Sequence, residues 1–146
     1  MYKFIVKRIV RRMFGLLSEG DYEPLVKQFR PQSRFMFAGD HVLGGERRGQ
    51  EEVRQWFQET LRRFPGLQIV PQEIVVTGWP WNTVIANHLA ISAPRPGGRE
   101  YRNEGMQLLR LRWGQVVEDL IFEDTLALEA ELRRSERADR PQPAAL

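Results

Sequence analysis

Residues 67–125 read LQIVPQEIVVTGWPWNTVIANHLAISAPRPGGREYRNEGMQLLRLRWGQVVEDLIFEDT, and this stretch decides the fold. It contains four segments rich in Val, Ile, Leu and aromatic residues, at 67–78, 83–93, 100–113 and 115–125. Turn-forming residues separate them: WPWN at 79–82, PRPGG at 94–98 and WG at 113–114. Long strands joined by short turns predict an antiparallel meander.

The residues before this stretch predict helices. Apolar residues recur at helical spacing over 3–19 and 50–64, and a shorter helix is predicted from Asp21 to about residue 29. Alternation over 33–38 predicts one short strand, and a final helix is predicted over 126–137. Helices followed by long strands pack on one face of the sheet. Because long strands twist and curl, we predict a cone with an open end.

Length and composition indicate one domain. The chain has 146 residues, of which 42% are hydrophobic, and we predict a domain over 1–138 and a flexible tail over 139–146. The absence of cysteine excludes disulfides, thiolate metal sites and a cysteine nucleophile. No apolar run is long enough to span a bilayer, and charges interrupt the N-terminal segment where a signal peptide would be apolar. We therefore expect a cytoplasmic protein.

The basic residues raise the question of an anionic partner. The net charge is +3, but the cations are mixed with acids along the chain, so we expect no nucleic-acid partner. The first helix is the exception, because Lys3, Lys7 and Arg11 form a basic row flanked by Arg8 and Arg12. Such a row is typical of a membrane-surface or acidic-partner helix, or of an ordinary solvated face. The sequence favours the solvated face, and no membrane partner is expected.

Several short phrases occur in an order that resembles the nuclear transport factor 2-like superfamily, which includes SnoaL-like and ketosteroid-isomerase-like domains. They are LSEGDY at 17–22, GD at 39–40, RGQEEV at 48–53, FPGL at 64–67, YRN at 101–103 and WGQVVE at 113–118. The resemblance implies an α+β fold, a cone-shaped curved antiparallel sheet with three N-terminal helices on its concave face. It also implies a pocket for a small apolar molecule and a homodimer formed through the outer sheet face.

Asp40 is the first candidate catalytic residue. The resemblance to ketosteroid isomerases implies a proton-shuttling carboxylate in the loop after the first strand, which is the position of Asp40. An Asp that only caps a turn explains the same residue. The isomerases also need a tyrosine and a protonated carboxylic acid, and this chain has Met13 and Met106 or Gln107 near those positions. Ketosteroid isomerisation itself is therefore not expected.

His88 and Asp124 are the other catalytic candidates. SnoaL-like cyclases use carboxylates or histidine inside the cone, and His88 lies in the middle of a predicted strand. It could equally be a wall residue or lie on the outer face. Asp124 shares a strand face with Leu120 and Phe122, or it caps the final helix. A resemblance to limonene-epoxide hydrolases would use Arg102, Glu104 and Asp124, although a surface salt bridge also explains the first two.

Aromatic and polar side chains provide candidate substrate contacts: Trp56, Trp81, Tyr101, Asn103 and Phe122. Core packing is the alternative role for the aromatic residues. Acid/base chemistry needs no cofactor, and two histidines without cysteine do not suggest a metal site. The resemblance thus implies a SnoaL-like small-molecule-binding domain, with acid/base isomerase, cyclase or dehydratase activity on a small apolar cyclic or polyketide-like substrate as the expected function. The alternative is a non-catalytic ligand-binding or dimerisation module of the same fold.

Overall fold

Six strands form in the part of the chain that the computed structural model describes, residues 1–141. The elements in chain order are α1 (Tyr2–Ser18), α2 (Glu23–Val26), β1 (Phe29–Phe37), β2 (Gly45–Arg48), α3 (Gly49–Arg63), β3 (Gln68–Trp79), β4 (Asn82–Pro94), β5 (Glu100–Arg112), β6 (Gln115–Glu123) and α4 (Thr125–Asp139). The four long strands and their turns match the prediction from residues 67–125.

The strands form one curved sheet in the order β2-β1-β6-β5-β4-β3. The four strands from β3 to β6 are an antiparallel meander, with β4 paired along nearly its whole length to both neighbours. β1 joins this meander parallel to β6, so the sheet is mostly rather than wholly antiparallel. The predicted α+β cone with a curved sheet is confirmed.

Helices cover the concave face of the sheet. α1 packs against β3, and α3 packs against β1 and β2. α1 buries Val6, Val10, Phe14 and Leu17, whose spacing places them on one face of the helix. The second predicted helix is only one turn long, because the chain at Phe29 already pairs with Val116 of β6. The short strand β2 has little apolar character and was not predicted.

A bulge in β6 decides which of its side chains face the helices. Leu111 of β5 pairs with Val116, whereas the next residue back, Arg110, pairs with Glu118, so Val117 is an extra residue on β6. An extra residue reverses the alternation of side chains beyond it. Val116 is buried before the bulge, and Asp119 and Ile121 are buried after it.

α4 follows the last strand and packs against the turn between β4 and β5. It buries Leu128, Leu132 and Glu131, and the Glu131 carboxylate binds Arg95 from the turn between β4 and β5. The helix continues to Asp139, one residue past the predicted domain boundary. Of the predicted tail 139–146, residues 142–146 lie outside the described residues. Among the helices of residues 1–141, none has the length and apolar character needed to cross a bilayer.

Candidate functional site

A cavity of about 360 Å³, partly open to solvent, lies between α1 and the concave face of the sheet. Its size is within the range of small-molecule sites. α1 contributes one wall, with Ile5, Ile9 and Met13 among its lining residues, and the sheet contributes the opposite wall. The lining is mostly apolar. The polar residues among those that line it are Tyr2, Gln28, Thr83, Gln107, Asp119 and Glu123.

Aromatic rings form the end of the cavity near α3. The Trp56 ring lies 4.7 Å from that of Phe35, 5.2 Å from that of Phe37 and 5.3 Å from that of Phe57, measured between centroids. The Trp56 indole N–H donates to the Leu43 carbonyl over 2.8 Å, which fixes the ring. Beyond these rings is a second compartment of about 40 Å³, and Trp56 and Glu123 line both spaces. The two compartments therefore adjoin.

A row of polar side chains crosses the apolar sheet face. Asn87 Nδ2 donates to Gln107 Oε1 over 2.9 Å, and Gln107 Nε2 donates to Asp119 Oδ1 over 3.0 Å. Asn87 of β4 pairs directly with Gln107 of β5, and Asp119 of β6 lies diagonally from Gln107, two residues before Ile121, the register partner of Gln107. The Gln107 amide therefore directs its oxygen toward Asn87 and its N–H toward the Asp119 carboxyl group. Within residues 1–141, no hydrogen bond is made to Asp119 Oδ2.

Burial changes the acidity of Asp119. Asp119 is 4% exposed. Burial raises the pKa of its carboxyl group to about 7, and the hydrogen bond from Gln107 opposes this shift by lowering the pKa. Asn87 Oδ1 is buried and has no hydrogen-bond partner within the described residues. An unpaired buried acceptor is costly, so this polar row does not serve stability alone. Asp119 can exchange a proton near neutral pH inside an apolar cavity.

Glu123 is a second acid facing the same space. It lies four residues beyond Asp119 on the same face of β6 and lines both compartments. Burial raises the pKa of its carboxyl to about 7. Asn103 Nδ2 lies 3.4 Å from Glu123 Oε2 and donates to the Tyr101 hydroxyl over 2.6 Å. The cavity thus has two carboxyl groups poised to gain or lose a proton at neutral pH.

Three of the predicted contact residues lie at or beside the cavity. Trp56 lines both compartments, and Tyr101 lines the smaller one. Burial raises the pKa of the Tyr101 hydroxyl, so this group stays protonated at neutral pH. Asn103 is half-buried and joins Tyr101 to the neighbourhood of Glu123. Their role in binding substrate remains a prediction.

The structure places the three predicted catalytic residues away from the cavity. Asp40 is exposed in the turn after β1, whose backbone is held by hydrogen bonds from His41 and Arg47. His88 faces the convex side, where it hydrogen-bonds to Glu104, because its neighbours on β4 face inward. Asp124 caps α4, and its Oδ1 accepts from the Ala127 N–H over 3.2 Å. Asp119 and Glu123, rather than these three residues, are the acidic residues that line the cavity.

Trp81 and Phe122 also lie outside the cavity. Trp81 is exposed in the turn between β3 and β4, and Phe122 is exposed on the convex face because the bulge turns it outward. The set suggested by epoxide hydrolases is not assembled facing the cavity either. Arg102 pairs with Glu100 at the surface, 2.9 Å apart, and Glu104 binds His88. The surface salt-bridge explanation fits this placement.

Sequence reasoning missed Asp119 and Glu123. Counting strict alternation from Val116 places Leu120 and Phe122 inside and Asp119 outside, and the apolar character of those two residues strengthens that error. One signal in the sequence could have indicated these two acids. Asp119, Ile121 and Glu123 lie at alternate positions of one strand, so they share a face, and Ile121 favours the buried face. A short run cannot reveal the bulge that turns this face inward.

Fold and cavity together define the class of protein. A curved sheet closed by helices around an apolar cavity with polar groups on one wall is a cone-shaped small-molecule-binding domain. The SnoaL-like domain model matches residues 10–119, and the chain belongs to the SnoaL-like domain family. The resemblance to the nuclear transport factor 2-like superfamily is thereby confirmed. No curated protein sequence matches the chain.

Solved structures share the fold at low sequence identity. IdmH from Streptomyces antibioticus, a candidate polyketide cyclase, is 23% identical with a TM-score of 0.69, over 88% of this chain and 97% of that one. TerC, crystallised with polyporic acid, is 14% identical with a TM-score of 0.68, over 88% and 97%. PrhC from Penicillium brasilianum is 18% identical with a TM-score of 0.74, over 90% and 87%. These likenesses establish the fold alone.

Proposed function

We propose that the protein is an acid/base catalyst that binds a small apolar cyclic or polyketide-like molecule and moves a proton next to its carbonyl group. The observation that carries this proposal is a pair of carboxyl groups, the buried Asp119 and the partly buried Glu123, whose pKa values are both raised to about 7 in a mostly apolar cavity. A base with a pKa near the working pH combines adequate strength with the correct protonation state. The description of IdmH as a candidate polyketide cyclase and the co-crystallisation of TerC with polyporic acid support this substrate class.

Asp119 is the proposed base. Gln107 holds one carboxylate oxygen, and the other oxygen is left to take a proton from the carbon beside the substrate carbonyl. The electron pair of the broken C–H bond moves onto the carbonyl oxygen as an enolate forms. Glu123, when protonated, can donate to an oxygen at the other end of the substrate. The two Cα atoms are about 13 Å apart on an extended strand, so one flat molecule can contact both acids.

The non-catalytic alternative predicts binding without proton transfer. It is favoured by the large apolar share of the lining and by the exposed position of Asp40. It does not explain why two carboxyl groups are desolvated on the cavity wall, which costs stability at neutral pH. The two functions are separated by measuring whether a ligand that binds also loses a proton.

Elimination of 5-nitrobenzisoxazole tests the proposal directly. This flat, neutral probe loses a ring proton to a base, its N–O bond breaks, and a coloured cyanonitrophenolate forms. We expect saturable elimination whose rate rises with pH and reaches half its maximum near pH 7, since the ionised carboxylate is the active form. The flat phenol 2-naphthol should compete with the probe.

The matched control for this assay is Asp40→Asn, which removes an exposed carboxylate outside the cavity. It should leave elimination unchanged. Binding of 2-naphthol with elimination no faster than in an equal concentration of acetate would establish the non-catalytic module instead. Loss of activity in Asp40→Asn would instead assign the catalytic base to Asp40 in the turn after β1.

We also propose a homodimer formed through the convex sheet face. His88, Met106 and Phe122 form one row across β4, β5 and β6, and Val75 is exposed on the same face. Light scattering at micromolar concentration should give twice the chain mass, and Met106→Glu should give a monomer because it places a charge in an apolar contact. A wild-type monomer would contradict the proposal.

A further inference from the structure

Three tryptophans lie exposed at one end of the sheet. Trp79, Trp81 and Trp113 are 63%, 54% and 68% exposed. Their rings form a contiguous group, with centroid distances of 6.0 Å and 6.2 Å. The backbone N–H of Trp113 donates a hydrogen bond of 2.7 Å to the Pro80 carbonyl, which joins the two hairpin turns that carry the three tryptophans. We call these three residues the tryptophan cluster.

The tryptophan cluster borders the cavity opening. Pro80, between two of the tryptophans, and Gly114, next to the third, both line the cavity. Ile5 and Ile9 of α1 line the cavity as well and are half exposed. The Tyr2 hydroxyl hydrogen-bonds to Thr83, which ties the start of α1 to the β3–β4 hairpin. The opening is therefore surrounded by exposed apolar side chains from α1 and both hairpins.

Trp113 occupies an unfavourable backbone conformation. Its φ is +52°, in the left-handed region that a bulky side chain rarely adopts. Asn or Gly is the usual residue at such a hairpin position. The strain is not offset by burial, because the indole is exposed. An indole held at this position despite the strain points to a role in contacting something outside the domain.

Positive charge accompanies the apolar opening. The exposed residues of α1 include Lys3, Arg8, Arg11 and Arg12, and α1 contains no acidic residue. Arg112, next to Trp113, is exposed too. Within residues 1–141, none of these five cations forms an ion pair. Elsewhere on the domain, arginines are commonly paired with glutamate, so the unpaired cations make the exposed face of α1, together with Arg112, complementary to an anionic surface.

We propose that this end of the cone docks on an anionic lipid surface, with the tryptophan cluster and the exposed α1 isoleucines in the interfacial layer and the α1 cations on lipid headgroups. Indole rings favour the membrane interface, and basic residues beside apolar ones bind anionic lipid. Docking would bring the cavity opening against the lipid, so an apolar ligand enters without crossing water. This inference differs from the sequence-based expectation of no membrane partner, and it does not depend on catalysis.

Co-sedimentation of the full chain with two kinds of vesicle tests the proposal. One is pure phosphatidylcholine, and in the other about one lipid in three is phosphatidylglycerol. We expect binding to the anionic vesicles at low salt, a blue shift of tryptophan fluorescence, and weaker binding at high salt. Equal binding to both kinds of vesicle, or to neither, would overturn the proposal.

Variants locate the docking surface. Trp113→Asn should weaken vesicle binding while the melting temperature stays the same or rises, because Asn relieves the backbone strain. The matched control is Leu126→Ala, which removes an exposed apolar side chain from the first turn of α4, beyond the end of β6 opposite Trp113, and should leave binding unchanged. If Leu126→Ala weakens binding as much as Trp113→Asn does, the surface has been misassigned.

Charge-reversal variants test whether vesicle binding depends on a local site or only on the net charge of the protein. Arg8→Glu with Arg12→Glu should weaken binding at least fivefold per reversed residue, whereas Arg133→Glu with Arg137→Glu on α4 makes the same change in net charge and should have a small effect. Equal losses would overturn a local site. Binding to a polyglutamate peptide without binding to anionic vesicles would replace the lipid surface with an acidic protein partner.

Discussion

Replacing Asp119 with Asn is expected to lower the rate of 5-nitrobenzisoxazole elimination by about 10²- to 10⁴-fold, the usual contribution of a positioned general base. The amide has nearly the same shape as the carboxyl group and can still accept the Gln107 hydrogen bond, so the cavity keeps its form. Binding of 2-naphthol, followed by fluorescence, should therefore stay within a few-fold of wild type. A loss of binding as large as the loss of rate would show that Asp119 only shapes the cavity.

The same substitution should change how stability depends on pH. Because the folded-state pKa of Asp119 is raised to about 7 from the ordinary value of 3.8, the folded state holds a proton between these two pH values that the unfolded state has released. The free energy of unfolding then falls with rising pH between these values, by about 1.4 kcal/mol per pH unit for this one group. Asp119→Asn should lack this fall and be more stable than wild type above pH 7. Urea unfolding at several pH values measures the difference.

Gln107→Leu provides a second, independent variant. The hydrogen bond from Gln107 lowers the pKa of Asp119, so its removal should raise that pKa further and move the midpoint of the elimination profile to higher pH. A residue that only packs the core would lower the rate or the stability without moving the midpoint. An unmoved midpoint together with full activity in Asp119→Asn would assign the base to Glu123, which Glu123→Gln would then confirm.

Replacing Glu131 with Ala is expected to lower the free energy of unfolding by about 3–5 kcal/mol, because it leaves a buried cation without its partner. The side chains of Arg95 and Glu131 are each 6% exposed, and Arg95 Nε lies 2.6 Å from Glu131 Oε1. Arg95 also donates to the Arg63 carbonyl over 2.9 Å and lies over the Phe64 ring. The ion pair thereby fastens α4 to the β4–β5 turn and to the end of α3. Chemical denaturation measures the loss.

Glu129→Ala is the matched control on the same helix. Glu129 Oε2 lies 4.0 Å from Nη2 of Arg133, whose side chain is largely exposed. Exposed ion pairs of this kind contribute less than about 1 kcal/mol to the free energy of unfolding. If both variants lower the free energy of unfolding by similar small amounts, the ion pair between Arg95 and Glu131 does not stabilise the fold more than an exposed pair does. Hydrogen exchange should show faster opening of α4 in Glu131→Ala than in Glu129→Ala.

Much of the fold could be predicted because its signals are local. Long β-branched and aromatic runs separated by glycine and proline turns led to β3, β4, β5 and β6, and helical spacing led to α1 and α3. β1 and β2 were predicted less well. The start of β1 is polar, and β2 is short and charged, so both owe their conformation to pairing with neighbouring strands rather than to their own composition.

The candidate site was harder to predict because it depends on which way side chains point. His88 lies within one predicted strand and Asp124 lies near the end of another, yet neither faces the cavity. The sequence supplied the residue types, including Trp56 and Tyr101, but a histidine or carboxylate on a strand has two faces available to it. Only contact with the adjacent strands and helices selects one.

The sequence by itself determined that this chain forms a helix-covered curved sheet with an apolar interior, because the spacing of apolar residues sets which elements form and how they must pack. Tertiary structure alone decided which acids lie inside that interior. The extra residue at Val117 reverses the alternation of β6 and turns Asp119 and Glu123 toward the cavity. Burial by the other elements then raises the pKa of both carboxyl groups. Neither the bulge nor the desolvation is a property of the local sequence, since both arise only when distant segments meet.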